Sequence, residues 1–132
     1  MSYYWFAVCV SLNGLFLLLL AFNVSRVRLR HRISYGDGDN KQLNRAIRVH
    51  CNGVEQVPIF TLLTLALTVT GATQLVLSAL VIPFTLSRVT HAYGMLFSKH
   101  IFRRIGAALT YLTQLLAATT LLLSITAGVA IG

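Results

Sequence analysis

Acidic side chains are nearly missing from this 132-residue chain: Asp37, Asp39 and Glu55 are all there are. Charge of either sign is scarce too, at 11% of residues, against about 25% in a typical soluble domain. With 56% hydrophobic residues and a mean hydropathy of +0.74, the composition excludes an ordinary soluble domain and points to a membrane protein. The shortage of acids narrows the chemistry further. Both aspartates fall in the turn "YGDGDN" (35–40), so no Ser/His/Asp set is available. That turn has no helix-opening context and is not a phosphate cradle. His31, His50, His91 and His100 lack ligand spacing with cysteines or acids, so no metal is expected; His31 and His100 read as solvated loop residues. Cys9 and Cys51 are expected at opposite depths, which rules out a bridge between them, and Cys51 reads as a small packing residue.

What the chain has is apolar length. Tyr3 to Val24 runs 22 residues without a charge, enough to cross a core of about 30 Å at about 1.5 Å per residue. The run has no basic segment before it, so it does not read as a cleaved signal peptide. Ile105 to Ile131 is also uncharged, and Gln56–Thr70 and Leu75–Ser87 flank the short turn "GATQ". The reading is all-α: one integral membrane four-helix bundle over 1–132, with helices at about 3–24, 44–70, 74–96 and 104–131. The net charge of +8 resides in two clusters, Arg26 to Arg48 and Arg88 to Arg104. Both lie between apolar runs without interleaved aromatics, which argues against nucleic acid. By the positive-inside rule, both basic connections face the cytoplasm and both termini lie outside.

The two middle runs are too short. Gln56–Thr70 is 15 residues and Leu75–Ser87 is 13, so Asn52, Glu55, Arg88 and His91 must be drawn into the membrane. Helices joined by a tight turn are antiparallel neighbours. Counting back from that turn places Glu55 level with Arg88, and Asn52 level with His91, within about one turn. Arg45, Arg48, Asn52 and Glu55 share one arc of about 80°. Intramembrane charges usually mark function. An ion pair that only fixes packing is the plainer alternative, but one carboxylate does not neutralise so many arginines, and the surplus invites an anionic ligand. The Arg26–Arg32 run reads first as a headgroup-facing anchor.

The segment "RVHCNGVEQVP" (48–58) resembles the Arg-x-x-x-Asn-x-x-Glu-x-x-Pro signature of the MAPEG family, the membrane-associated proteins in eicosanoid and glutathione metabolism. "VRLRHRISYGDGDNKQL" (27–43) and "RVTHAYG" (88–94) resemble the bacterial branch of that family, and the likeness covers nearly the whole chain. It implies a homotrimer in a bacterial inner membrane, with glutathione as co-substrate bound between subunits near the cytoplasmic face. Arg48, Asn52 and Glu55 match family glutathione contacts, the glutamate meeting the peptide's amino group. Arg28, Arg88, His91 and Tyr93 extend that binding set, although Tyr93 is about 140° around the helix from Arg88 and reads equally as a packing aromatic. Arg104, with Arg103 beside it, matches the arginine near the glutathione sulfur and is the catalytic candidate. Three positions depart from relatives: Met95 stands where several carry tyrosine, Gln56 where an aromatic is often found, and Cys51 where glycine or arginine is frequent.

The chemistry follows from a thiol with a pKa of about 8.5, which a nearby guanidinium shifts toward thiolate. A water-soluble nucleophile in the polar end would meet a lipophilic electrophile, or a lipid hydroperoxide, arriving from the bilayer. Two other readings stand beside this one. One is a non-catalytic scaffold or a glutathione- or lipid-binding subunit. The other is a small proton-coupled exporter, disfavoured because a carboxylate level with arginine stays ionised.

Overall fold

The computed structural model describes residues 2–129. It contains four helices: α1 Tyr4–His31, α2 Lys41–Val69, α3 Gln74–Leu96 and α4 His100–Val129. All four are long and apolar enough to cross a membrane. The α1–α2 and α3–α4 connections lie together at one end, the basic end, and the α2–α3 turn closes the other.

Each helix buries a stripe set by its sequence period. On α2 the buried positions run Leu43, Ala46, Val49, Gly53, Val57, Phe60, Thr64 and Leu67, with Thr68 beside the last, recurring every three or four residues as one helical face requires. Phe60 stacks flat on Phe84 of α3, ring centroids 3.7 Å apart. This stack anchors a core with Val57, Leu67, Leu77, Leu80, Val81 and Ala117. The buried face of α4 is built from small residues, Gly106, Thr110, Thr113 and Ala117. In lipid, where apolar side chains gain nothing by leaving the solvent, small residues let helices approach and collect dispersion contacts. α1 is held by a buried polar lock: Asn13 Nδ2 donates to Thr85 Oγ1 of α3 and to Cys9 O, both at 3.0 Å.

The helix ends differ from the sequence expectation in ways that matter. α1 continues past 24 through the basic run to His31, because arginine is a good helix former and favours a helix C-terminus. It stops at Arg32, in the left-handed region with φ 55. α4 starts at His100 rather than 104, so His100, Arg103 and Arg104 all ride on helix. Both histidines expected in loops are thus helix-terminal; His31 Nε2 lies 3.1 Å from Gln42 Oε1. The "YGDGDN" turn does open a helix, since Asn40 caps α2 by accepting from Leu43 N at 2.9 Å. The expected end of the last helix at 131 lies outside the described residues.

Candidate functional site

A cleft of about 320 Å³ opens at the basic end, lined by Arg48 and Asn52 from α2, His91 and Met95 from α3, and Arg103, Arg104 and Ala107 from α4. A second hollow, with Arg45, Gly94, Ser98 and His100, shares Arg48, Met95 and Arg103 with it. Three guanidinium groups and no carboxylate line the first cleft.

Two glycines make this convergence possible. A Cβ on Gly94 would collide with the backbone nitrogen of Arg103 and lie 2.7 Å from its Cα. A Cβ on Gly106 would collide with the His91 nitrogen and lie 2.6 Å from the His91 Cα. The α3 and α4 backbones therefore touch at two points beside the cleft, which fixes His91 against Gly106 and the base of Arg103 against Gly94. The polar interior of this seam is closed by hydrogen bonds. Ser87 Oγ and Thr110 Oγ1 are 2.8 Å apart, and Thr110 Oγ1 donates to Gly106 O at 2.8 Å.

Arg88 lies one layer behind the cleft and is 1% exposed. Its Nη2 donates to Asn52 Oδ1 at 2.7 Å and its Nη1 to Thr110 Oγ1 at 3.3 Å, while Nε has no partner. The sequence count placed Glu55 opposite this guanidinium. The structure instead turns Arg88 one turn toward the basic end, as a long cationic side chain does when it reaches for the wetter side. Its partners are neutral. Because Arg88 occupies the Asn52 carbonyl, the Asn52 amino group remains as a donor for the cleft that Asn52 lines. His91 Nδ1 is likewise buried without a partner.

Of the nine site residues expected from sequence, Arg48, Asn52, His91, Arg103 and Arg104 line one cleft, and Arg88 backs it. Three stand apart within the subunit. Glu55 is exposed, midway along α2. Arg28 is folded onto its own loop, its Nη1 donating to Gly36 O at 2.7 Å and to Ile33 O at 3.4 Å. Tyr93 packs its ring on Phe97 and edge-on to Phe102, centroids 5.0 and 5.4 Å away, facing away from the cleft. Beside Arg28, the loop is held by Asp37, which accepts from Asn44 Nδ2 at 2.6 Å and Asp39 N at 3.1 Å. These bonds, the Asn44 amide first, hold its carboxyl below the usual carboxylate range.

Sequence reasoning missed Gly94, Gly106, Thr110 and the lining role of Met95. The signal was present for two of them, Gly106 and Thr110: a small residue at 106, 110, 113 and 117 marks one close-packing face of α4.

The MAPEG family model matches residues 6–123. The chain is 34% identical over 110 residues to the inner membrane protein YecN of Escherichia coli strain K12, covering 83% of this chain and 84% of that protein. YecN of Escherichia coli O6:H1 strain CFT073 matches with the same identity and coverage.

Proposed function

The chain belongs to the MAPEG family, and on that premise we propose that it binds glutathione in the arginine-lined cleft and directs the thiolate at lipophilic electrophiles. The observation that carries this reading is Arg88. A buried guanidinium partnered only by neutral groups is expensive to hold, and it stands behind a cleft with three further arginines and no acid. An anionic ligand offsets that cost. Glutathione carries two carboxylates and one ammonium, hence a net negative charge that becomes larger when the thiol ionises.

Each residue then has a distinct task. Arg48 and the Asn52 amino group meet carboxylate and amide oxygens at the basic end. Arg103 and Arg104, at the start of α4, lie where a guanidinium favours the thiolate over the thiol. The sulfur forms a bond to an electrophilic carbon while a leaving group departs with its electron pair. With a lipid hydroperoxide, the sulfur takes the distal oxygen and releases the alcohol. A second glutathione then displaces water from the sulfenic acid, giving the disulfide.

Glu55 argues for more than one subunit. An acidic side chain exposed midway along a membrane helix faces hydrocarbon at a cost of several kcal/mol. In a homotrimer it faces a neighbour's cleft instead, where it offsets the glutathione ammonium. Arg28 reaches the same interface from α1. The relative's name as an inner membrane protein fits a bacterial inner membrane, with the arginine-rich end cytoplasmic. A cytoplasm-active reporter fused after Gly132 should then be inactive.

The deciding experiment adds glutathione to the purified protein and follows thiolate absorbance in the ultraviolet. A saturable rise, absent with S-methylglutathione, supports the reading. No rise together with no glutathione binding by calorimetry sinks it.

A further inference from the structure

A separate hollow of about 190 Å³ opens at the basic end where three helix ends meet. It is bordered by Asn23 and Arg26 of α1, Gln42 and Arg45 of α2, and Leu96 and Phe97 where α3 stops. It shares no residue with the cleft that holds Arg48 and Arg104, and only Arg45 with the hollow beside that cleft. Its polar groups are all donors. Arg26 Nη2 donates to Asn23 Oδ1 at 2.9 Å, and Gln42 Oε1 lies 3.1 Å from His31 Nε2. Both carboxamide oxygens are therefore taken. Among the described residues, Arg45 and the amino groups of Asn23 and Gln42 make no hydrogen bond. Arg45 also borders the loop with Asp37 and Asp39, but Asp37 is held by Asn44 and the Asp39 nitrogen instead. The plainer task for these donors would be to cap the last carbonyls of α3. No side-chain bond to those carbonyls is formed.

Depth says what could fill the hollow. Asn23 is about 29 Å along α1 from Tyr4, and Leu96 about 33 Å along α3 from Gln74. The hydrocarbon core is about 30 Å thick, so the hollow lies at its edge, where lipid phosphates begin. Exposed aromatics mark the same level: Phe97 packs on Tyr93, which meets Phe102 edge-on. Such belts occupy the headgroup zone. Below the donors, Leu96 packs on the buried cluster of Leu20, Val49 and Ala92, an apolar floor that offers a guanidinium nothing.

We propose that this hollow is a binding site for the headgroup phosphate of an anionic phospholipid, whose acyl chains leave past Phe97 into the bilayer. Basic pockets between membrane helices at the cytoplasmic surface take such headgroups. Arg26 and Arg45 approach the phosphate from two helices, each able to present a fork of N–H groups to its oxygens. Asn23 is a positioning residue, since its oxygen holds the Arg26 fork. A zwitterionic lipid would bring its own cation to a place with two already, so the site discriminates by net charge. This assignment goes beyond the glutathione reading and does not depend on it. It also gives Tyr93, which turns away from the cleft, a place beside a ligand.

The test offers delipidated full-length protein in detergent equal amounts of dioleoyl phosphatidylglycerol and dioleoyl phosphatidylcholine, and counts retained lipid by native mass spectrometry. One phosphatidylglycerol per subunit should be retained, with a preference of about thirtyfold from two arginines. Arg26→Gln with Arg45→Gln should bring the preference close to parity. Arg30→Gln with Lys99→Gln removes as much charge outside the hollow and should leave most of it. Asn23→Ala, which changes no charge, should lower it several-fold and serves if the double variant does not fold. Equal retention of the two lipids by the wild-type protein overturns the proposal. So does an equal loss in both double variants, which would make the preference a matter of overall charge. Displacement of the lipid by soluble glycerol 3-phosphate would show a site for free phosphate and overturn the assignment to lipid.

Discussion

Two seams meet on α4, and they are built in opposite ways. Along α3, the partners are glycine, serine and threonine, the backbones touch, and the hydroxyls are tied into one another. Along α2, the partners are long and polar, and at the basic end the seam parts into an arginine-lined cleft. The closed seam fixes where His91, Arg103 and Arg104 stand. The open one leaves them facing space and a surplus of positive charge. A binding site needs both, because charge converges without a counter-ion only if the backbone beneath is too well packed to relax.

The comparison breaks most severely if the closed seam is forced apart. Gly106→Leu drives a side chain into the His91 backbone and should destabilise the protein by about 3 kcal/mol or more, seen as loss of the melting transition in detergent. Gly128→Leu, where nothing lies within 4 Å of an added Cβ, should leave the melting temperature unchanged. If both variants behave alike, close approach is not what orders this seam.

At the junction of the seams, Asn52→Leu strands the Arg88 guanidinium and should cost about 1.5–3 kcal/mol. Adding Arg88→Met should return most of that stability, since an apolar pair replaces a buried charge, but should not restore glutathione binding. Failure of the double variant to recover would mean that Thr110 and the helix contacts, not Asn52, carry Arg88.

On the open seam, effects should fall on binding rather than stability. Glu55→Gln should weaken glutathione about tenfold, roughly 1.4 kcal/mol, with the proposed trimer's mass unchanged and the melting temperature almost unmoved. Full affinity in this variant would remove Glu55 from the site. Arg104→Gln should keep glutathione bound but raise the bound thiol's pKa by about one unit, read from the pH midpoint of thiolate absorbance. An unchanged midpoint would move that task to Arg103.

The smallest effect belongs to the loop beside the cleft. Asp37 has a lowered carboxyl pKa in the folded loop, so its contribution is full above the ordinary carboxylate pKa of about 3.9. It is lost as pH falls through the folded value. Hydrogen-exchange protection across residues 36–44, taken relative to the intrinsic rate at each pH, should therefore fall only in acid, and Asn44→Ala should move that onset to higher pH. Protection independent of pH would show that the helix cap at Asn40 alone orders the loop.

Much of this was legible in the residues themselves. Two uncharged runs long enough for a bilayer and two shorter ones completed by polar residues, with basic clusters between them, indicate four membrane helices, because hydrocarbon tolerates no unpaired backbone. The Arg48–Asn52–Glu55 stripe and the short middle runs already indicated that polar groups enter the membrane together. Less legible were the helix ends, where arginine's helix preference overrode the end of the apolar run, and the partner of Arg88. Depth counting treats a side chain as a point on its helix, whereas an arginine reaches about a full turn along it.

The sequence by itself thus determined the class, the number of spans and the residue types that gather at the basic end. Those follow from transfer energies, which each residue carries wherever it is placed. Only the tertiary structure decided that Arg88 rests on Asn52 and Thr110 rather than on Glu55, that Tyr93 turns away, and that Gln56 of α2 meets Gln114 of α4. Those outcomes depend on how closely α3 and α4 approach at Gly94 and Gly106, and backbone distance is a property of the packed helices rather than of any one of them.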